Sequence, residues 1–159
     1  MRAPFVPVLA VLVLTFASGC ALAASGPQTG LPLETITIDT KAGPHPFKVE
    51  VAADEDSREI GLMFRKAMAP DAGMLFDFHT PQEVSFWMEN TILPLDMLFV
   101  RADGTVARIK ENATPYSREN IPSGEPVQFV IELNAGRAQA LGIKEGGHVR
   151  GLEMQQKRH

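Results

Sequence analysis

The chain has 159 residues, of which 45% are hydrophobic and 21% are charged. This length suits one domain of ordinary size, and the apolar fraction excludes a disordered or collagen-like chain. The single cysteine, Cys20, cannot close an intramolecular disulfide and cannot alone build a thiolate zinc site. The formal net charge of −4 argues against a nucleic-acid-binding protein, which normally presents a basic surface to the phosphates.

Residues 1–23 have the pattern of a secretory signal peptide. Arg2 provides a minimal basic start, and residues 8–16 (VLAVLVLTF) form an apolar run that is too short to span a bilayer. The small residues at 21–23 (ALA) then predict cleavage by signal peptidase. Cleavage would leave 14 basic residues against 19 acidic ones, a net charge of −5. We therefore expect an exported protein, either periplasmic or secreted.

A second processing route is open at Cys20. Residues 17–20 (ASGC) resemble a bacterial lipobox, in which the cysteine is acylated and becomes the new N-terminus, although Ala17 stands where a large aliphatic residue is usual. The alternative localisation is therefore a lipid anchor on Cys20. Residues 24–32 are rich in Gly, Pro and Ser, and they predict a flexible lead-in to the folded domain.

The first elements after the lead-in are a hairpin and a short helix. Residues 34–40 (ETITIDT) and 46–51 (PFKVEV) alternate apolar and polar side chains, which predicts two half-buried strands joined by a turn. Residues 54–68 place apolar side chains at helical spacing behind a group of acidic residues. They predict a short helix that Pro70 ends.

The rest of the chain is predicted to be mostly strand. Five further segments have strand-like patterns separated by turn residues: 73–78, 84–88, 95–101, 105–111 and 127–133. Residues 135–141 predict a second short helix, and residues 148–152 predict a last strand. We therefore predict a mainly β fold, a single-domain antiparallel sandwich or barrel with two short helices. The domain would cover residues 33–153, with a polar tail at 154–159.

Five sequence blocks, in this order, resemble the domain of unknown function 192 family. They are 61–65 (GLMFR), 73–76 (GMLF), 86–91 (FWMENT), 94–96 (PLD) and 130–136 (VIELNAG). The similarity covers roughly residues 36–152 and implies a compact, jelly-roll-like β domain, often exported in bacteria, with no agreed reaction. One departure is Glu89, which occupies a position where the family usually has a basic residue. A ligand that contacts this position would meet the opposite charge.

Polar residues inside these blocks, together with the neighbouring tryptophan, are the candidates for a ligand-binding site. The set is Arg65, Trp87, Glu89, Asn90, Asp96, Glu132 and Asn134. Glu132 is the most informative, because it shares one face of an apolar strand with Val130. An unpaired buried charge costs several kcal/mol, so the Glu132 carboxylate must face water or have a partner. Arg65 could be that partner, either in a fold-fixing ion pair or in a ligand-binding pair.

Three other candidates have two interpretations each. Asn134 lies between a predicted strand and a predicted helix, where an asparagine side chain commonly caps the helix or closes a turn. Asn90 could do the same or could bind a ligand beside Trp87, because small polar ligands are often held by an aromatic ring and an amide. Filling of the core is the competing role for Trp87.

Two alternative activities remain open. Asp96 and Glu132 could divide acid and base roles in an envelope hydrolase. A group of soft ligands could instead handle copper, since thioether and imidazole groups select Cu(I). This group consists of Met63, Met68, Met74, His79 and Met88. Packing in an irregular core is the competing interpretation for the methionines.

The sequence contains none of the usual catalytic motifs. It lacks a Gly-x-Ser-x-Gly elbow, a His-Glu-x-x-His helix and a phosphate-binding glycine-rich loop. We therefore expect a non-catalytic exported β domain, without a cofactor or a resident metal, that binds a small polar ligand or an envelope component. Neither a nucleic-acid partner nor a transmembrane span is expected.

Overall fold

The computed structural model describes residues 26–152. The predicted signal peptide, Cys20 and the polar tail lie outside the described residues. The predicted mainly β architecture is confirmed, with nine strands and two short helices in this part of the chain. In chain order the elements are β1 Leu33–Thr40, β2 Gly43–Ala52, α1 Glu55–Ile60, β3 Ala72–Gln82, β4 Ser85–Phe86, β5 Leu95–Val100, β6 Val106–Ala113, β7 Ile121–Pro122, β8 Val127–Asn134, α2 Arg137–Leu141 and β9 Val149–Arg150.

Seven of these strands form one curled sheet, in the order β6-β5-β8-β3-β2-β1-β9, while β4 and β7 pair separately. The predicted hairpin of the first two strands is present as β1 and β2. Most neighbours are antiparallel, as expected, but β2 and β3 run parallel. The chain between them carries α1, and a parallel pair needs such a crossover. The link that carries α1 returns the chain to the starting end of β2. Strand β3 can therefore run in the same direction as β2.

The central strand β8 supplies side chains to both apolar faces of the sheet. Phe129 and Ile131 belong to a cluster that they share with β1 and β2. Val130 belongs to a second cluster, together with Met74 of β3 and Met97 of β5. Side chains alternate across a strand, so Glu132 lies on the same face as Val130. The sequence predicted this face for Glu132, and the second cluster is the setting of the site described below.

Helix α1 is shorter than the sequence predicted. It begins after Asp54, whose carboxylate accepts a hydrogen bond from the backbone N–H of Ser57, and this bond lowers the pKa of Asp54. It ends at Gly61, whose φ of 49° suits glycine and whose N–H bonds to the Ser57 carbonyl. A Cβ at Gly61 would lie 3.2 Å from the Phe76 ring, so the helix end packs closely on β3. Neither α1 nor any other helix within residues 26–152 has the length and apolar character needed to cross a membrane.

Residues 84–91, which include β4 and a turn at residues 89–90, pack against the second cluster, and we call them the Trp87 strap. Phe86 and Met88 pack into the cluster, and Trp87 between them is 49% exposed. The strap is held at one end by pairing of β4 with β7 and at the other by a hydrogen bond from the Met88 N–H to the Ser117 carbonyl. Phe86 and Met88 point inward on either side of Trp87, so the Trp87 side chain points outward. Trp87 therefore does not fill the core, which was the alternative role predicted for it.

The segment before β1 contacts the domain next to α1. The Gln28 side-chain amide donates hydrogen bonds of 2.9 and 2.8 Å to the carbonyls of Ser57 and Gly61. The Pro32 carbonyl accepts a hydrogen bond from the backbone N–H of Val51 in β2. These contacts join the start of the described chain to the C-terminal end of α1.

Candidate functional site

A cavity of about 330 Å³ opens on the second face of the sheet, between α1, β3 and the Trp87 strap. Glu132 lines it, and we call it the Glu132 cavity. Its volume is at the lower end of the range for small-molecule sites. A wider cleft of about 710 Å³ lies beside residues 27–33, but its main charged groups, Arg65 and Glu50, already bind each other. The Glu132 cavity is therefore the stronger candidate, because no cation within residues 26–152 pairs with its buried Glu132 carboxyl.

Glu132 is 4% exposed, and the side chains in register with it on the two neighbouring strands cannot donate hydrogen bonds. The residues directly opposite on β3 and β5 are Met74 and Met97, both fully buried. Within residues 26–152, no group donates a hydrogen bond to the Glu132 carboxyl and no cation pairs with it. Burial alone raises the pKa of Glu132 to about 8. This carboxyl is therefore mostly protonated at neutral pH.

Aromatic rings form one wall of the Glu132 cavity. The Phe86 ring of the strap packs edge-on against Phe76, with centroids 5.0 Å apart and planes at 90°. It also lies 6.3 Å from the Phe78 ring at 77°. Trp87 contributes to the same lining from the strap. Edge-to-face contacts of this kind hold rings in fixed orientations, so the wall is preformed.

Helix α1 supplies the charged groups of the cavity lining, Glu55, Arg58 and Glu59. The Arg58 guanidinium is already occupied, because it donates to the carbonyls of Ala53 and Asp77. It also lies 5.2 Å from the centroid of the Phe78 ring. Arg58 therefore fastens α1 to β3, and the lining keeps an excess of carboxyl groups.

Three residues that lie in the Trp87 strap or are hydrogen-bonded to it have left-handed backbone. Phe64, Asn90 and Tyr116 have φ values of 64°, 55° and 61°. They are linked through the strap, since the Phe64 N–H bonds to the Asn90 carbonyl and the Tyr116 N–H bonds to the Thr91 carbonyl. Such conformations cost about 1–3 kcal/mol each in a residue other than glycine, and they cluster at ligand sites. The surrounding packing thus fixes the strap in one position.

The structure does not bring Arg65 to Glu132. Arg65 instead makes a two-pronged pair with Glu50 of β2, at 2.5 and 2.6 Å, and this pair raises the pKa of Arg65. Its guanidinium also donates to the Gln28 carbonyl. Because α1 ends at Gly61 and the chain turns there, Arg65 lies over β2 rather than over β8. The expected Arg65–Glu132 ion pair is not formed.

Asp96 and Glu132 point to opposite faces of the sheet. Asp96 pairs in register with Leu133, which belongs to the first cluster, whereas Glu132 lies with the second. The Asp96 carboxylate accepts 2.9 Å hydrogen bonds from the backbone N–H groups of Asn112 and Ala138. It thus ties β6 and the start of α2 to β5. The two acids cannot act together on one substrate.

The remaining polar candidates lie outside the cavity. Glu89 pairs with the exposed Arg118 at 2.5 Å. Asn90 contacts the sulfur of Met63 at 3.9 Å through its side-chain amide. Asn134 does not cap α2, since its amide donates to the carbonyls of Met68 and Ala69 and so closes the loop before β3. The chain turns into α2 at Gly136, without a side-chain cap.

The methionines proposed as copper ligands are mostly packed in the core. Met74 and Met88 are fully buried in the second cluster, and Met68 packs against it. Met63 is the member of the group that lines the Glu132 cavity. His79 is exposed and lies 3.6 Å from the carboxylate of Asp77. Between residues 26 and 152, no group of three or more His, Cys, Asp or Glu side chains is arranged to hold a metal ion.

Several residues of the cavity were not foreseen from the sequence. They are the α1 residues Glu55, Arg58 and Glu59 and the phenylalanines Phe76, Phe78 and Phe86. The sequence could have indicated two of them, because Phe76 and Phe78 are two residues apart in a predicted strand and therefore share a face. For the α1 residues, the helical pattern gave no indication of which polar side chains would face the sheet.

The fold and the cavity define a small β-rich domain in which one buried carboxyl group faces an aromatic pocket. The chain belongs to the domain of unknown function 192 (DUF192) family, described as an "Uncharacterized ACR", whose family model matches residues 36–151. This confirms the resemblance seen in the sequence blocks. No curated protein matches the chain.

Two crystal structures are similar to the chain in both sequence and fold. One is of a "putative transcription regulator" from Sinorhizobium meliloti 1021, 48% identical, with a TM-score of 0.75 over 77% of this chain and 96% of that one. The other is of a protein of unknown function from Novosphingobium aromaticivorans DSM 12444, 38% identical, with a TM-score of 0.75 over 86% of this chain and 97% of that one. The two relatives support the fold, and neither name states a ligand.

Proposed function

We propose that this protein is an exported binding domain that takes a small polar ligand into the Glu132 cavity. The observation that carries the proposal is the Glu132 carboxyl, which is buried at the cavity wall without a hydrogen-bond partner in residues 26–152. Buried polar groups in folded proteins nearly always have a partner, because the unpaired state costs about 1–3 kcal/mol. A ligand with a hydrogen-bond donor would supply the partner that the protein does not.

The surroundings of Glu132 favour binding over a structural role. A carboxyl between Met74 and Met97 contributes no contact that an apolar side chain of similar length would not make. Binding sites commonly keep such groups at a cost in stability. The fixed aromatic wall is also a feature of a pocket formed before its ligand arrives.

Export is part of the proposal, and its support comes from the N-terminal sequence. Residues 1–23 have the charge and hydropathy pattern of a signal peptide, and Cys20 offers the alternative of lipid attachment. Mass spectrometry of the protein purified from its native envelope would distinguish the two routes. We expect a mature N-terminus at residue 24, whereas a chain that begins with acylated Cys20 would place the domain on a membrane surface.

A thermal-shift screen of small metabolites would test the binding proposal. We expect at least one compound to raise the melting temperature of the wild-type protein and to lose this effect in Glu132→Gln, which keeps the shape of the side chain. Glu119→Gln, an exposed position away from the cavity, is the matched control and should respond like the wild type. If every stabilising compound acted equally on all three proteins, ligand binding by the Glu132 cavity would be rejected.

A second candidate function is hydrolysis, and one observation favours it. Glu55 and Glu59 line the same cavity as the mostly protonated Glu132, so a general acid and a base could face one substrate. Activity profiling on glycan and ester substrates would test it, with Glu132→Gln and Glu59→Gln as the variants. Turnover that neither substitution reduced would exclude these groups as the acid and the base.

The name of the S. meliloti relative raises nucleic acid as another ligand. The net charge of −4 opposes it, because sequence-independent DNA binding depends on cationic groups along the phosphates. We propose that the chain does not bind DNA, and a shift of random duplex DNA at low salt would contradict this.

A further inference from the structure

The charges around the Glu132 cavity indicate which ligands it can accept. Besides Glu132, the charged groups that line it in residues 26–152 are Glu55, Arg58 and Glu59, all from α1. The Nη1 of Arg58 donates to the carbonyls of Ala53 and Asp77, which fixes the position of this single cation while it keeps its positive charge. Glu55 and Glu59 outnumber the single cation Arg58, and Glu132 adds a third negative charge whenever it is ionised, so the lining disfavours an anionic ligand and favours a cationic one.

The aromatic wall favours a cation as well. Phe76, Phe78, Phe86 and Trp87 all line the cavity, and the faces of such rings attract positive charge. The Phe78 ring already carries one such contact with Arg58, at 5.2 Å. Aromatic rings with a nearby carboxylate are a common setting for ammonium groups.

The position of Glu132 adds a third argument. With Met74 and Met97 on either side, ionised Glu132 gains no hydrogen bond from its strand neighbours. A ligand N–H that also carries positive charge would satisfy the carboxylate and stabilise its ionised form at once. We infer that the ligand of the Glu132 cavity is a small protonated amine whose ammonium group pairs with the Glu132 carboxylate against the aromatic wall. This inference rests on the proposed binding function and names the chemical class of its ligand.

Proton release should accompany binding. The empty cavity holds Glu132 protonated below a pKa of about 8, whereas the ammonium complex needs the carboxylate. Binding near pH 6 must therefore expel the Glu132 proton, and the apparent affinity should rise by about 50-fold between pH 6 and pH 8. Glu55, Arg58 and Glu59 also face the cavity, and Glu132→Gln leaves all three in place, so the effect of that variant can be assigned to Glu132.

The test uses three amines, each with a neutral counterpart of the same shape, in isothermal titration calorimetry. The pairs are putrescine with 1,4-butanediol, glucosamine with glucose, and choline with 3,3-dimethyl-1-butanol. Choline has no N–H, so it separates attraction to the aromatic wall from hydrogen bonding to Glu132. We expect at least one N–H-bearing amine to bind at least tenfold more tightly than its neutral counterpart. Titration at pH 6 in two buffers of different ionisation enthalpy should show release of about one proton.

Variants assign the binding to the cavity. Glu132→Gln should abolish both the proton release and the rise in affinity with pH, whereas Glu119→Gln, the exposed control away from the cavity, should keep both. Trp87→Ala provides a second route if Glu132→Gln folds poorly, because Trp87 is half exposed on the strap and its loss should weaken amine binding about tenfold.

Each outcome separates the inference from the function on which it rests. If neutral or acidic compounds bound in a Glu132-dependent manner and the amines did not, the amine inference would fall and the binding function would stand. Affinity for an amine that rose as the pH fell would also overturn the inference. If neither the amines, nor their counterparts, nor any compound of the wider screen bound in a Glu132-dependent manner, both would be rejected.

Discussion

Two buried carboxyl groups lie one residue out of register on neighbouring strands, and their environments are opposite. Asp96 of β5 faces the first cluster and accepts two backbone hydrogen bonds. Glu132 of β8 faces the second cluster between two methionines and accepts none from residues 26–152. Both side chains are nearly inaccessible to water. Burial alone therefore does not distinguish a structural acid from a candidate functional one, whereas the presence of hydrogen-bond donors does.

The largest expected effect in this comparison is the loss of Asp96. Asp96→Ala would remove the acceptor of the Asn112 N–H and of the buried Ala138 N–H, and it would release the start of α2. We expect a loss of about 3–5 kcal/mol in the free energy of unfolding, measured by urea denaturation. Asp39→Ala, which removes an exposed pair with Arg150, is the control and should cost less than about 1 kcal/mol. A loss below 1 kcal/mol for Asp96→Ala would mean that these bonds do not stabilise the fold.

The pH dependence of stability should single out Glu132. Its pKa in the folded protein is about 8, above the ordinary 4.5, so the folded state binds the proton more tightly than the unfolded state does. The resulting stabilisation is complete below pH 4.5 and is lost as the pH rises through 8. Relative to Glu132→Gln, the wild type should lose about 2 kcal/mol between pH 6 and pH 8. Parallel curves for the two proteins would show that Glu132 is not held protonated.

Replacement of Glu132 by an apolar side chain should stabilise the protein, the opposite of the result for Asp96. Glu132→Met has a similar length and matches the neighbouring Met74 and Met97. We expect a gain of about 1–2 kcal/mol at pH 7 in urea denaturation, because an unpaired buried polar group is removed. A loss of stability would indicate that the Glu132 carboxyl has a structural partner after all.

The smallest effect on stability is expected at Trp87. Its side chain is half exposed, so Trp87→Ala should change the free energy of unfolding by less than about 1 kcal/mol. The substitution should nevertheless admit water to the cavity, lower the pKa of Glu132 and flatten the pH dependence described above. A stability curve with an unchanged slope would show that Trp87 does not shield Glu132.

Local patterns predicted most of the strands and the face on which Glu132 lies. Alternation between Val130 and Glu132 is a property of a few consecutive residues, so the sequence reveals it directly. The partner of Arg65 was not predictable in the same way. The choice of Glu50 over Glu132 depends on where α1 ends and on the parallel register of β2 with β3, and both are set by packing between distant segments.

The cavity was even harder to predict from the sequence, because it is formed by contacts between distant segments. Trp87 is exposed because Phe86 and Met88 take the inward positions of the strap, and no pattern near 87 identifies which of these side chains face inward. The sequence also could not show that Asp96 and Asn134 have structural roles. The donors to Asp96 come from β6 and α2, and the acceptors of the Asn134 amide come from the loop before β3. The sequence located the polar residues, and only the tertiary structure showed which of them are already satisfied.

The contacts of Gln28 bear on the choice of where the mature protein should start. Its amide closes over the carbonyls of Ser57 and Gly61, at the end of the helix that borders the Glu132 cavity. A recombinant chain that began at Leu33, the first residue of β1, would lose these two hydrogen bonds. Water would then take the place of the Gln28 amide at both carbonyls. Cleavage at the predicted signal-peptidase site would retain both bonds. Residues 26–32, which precede β1, thus support the helix that borders the binding site, and a recombinant version meant for ligand studies should include them.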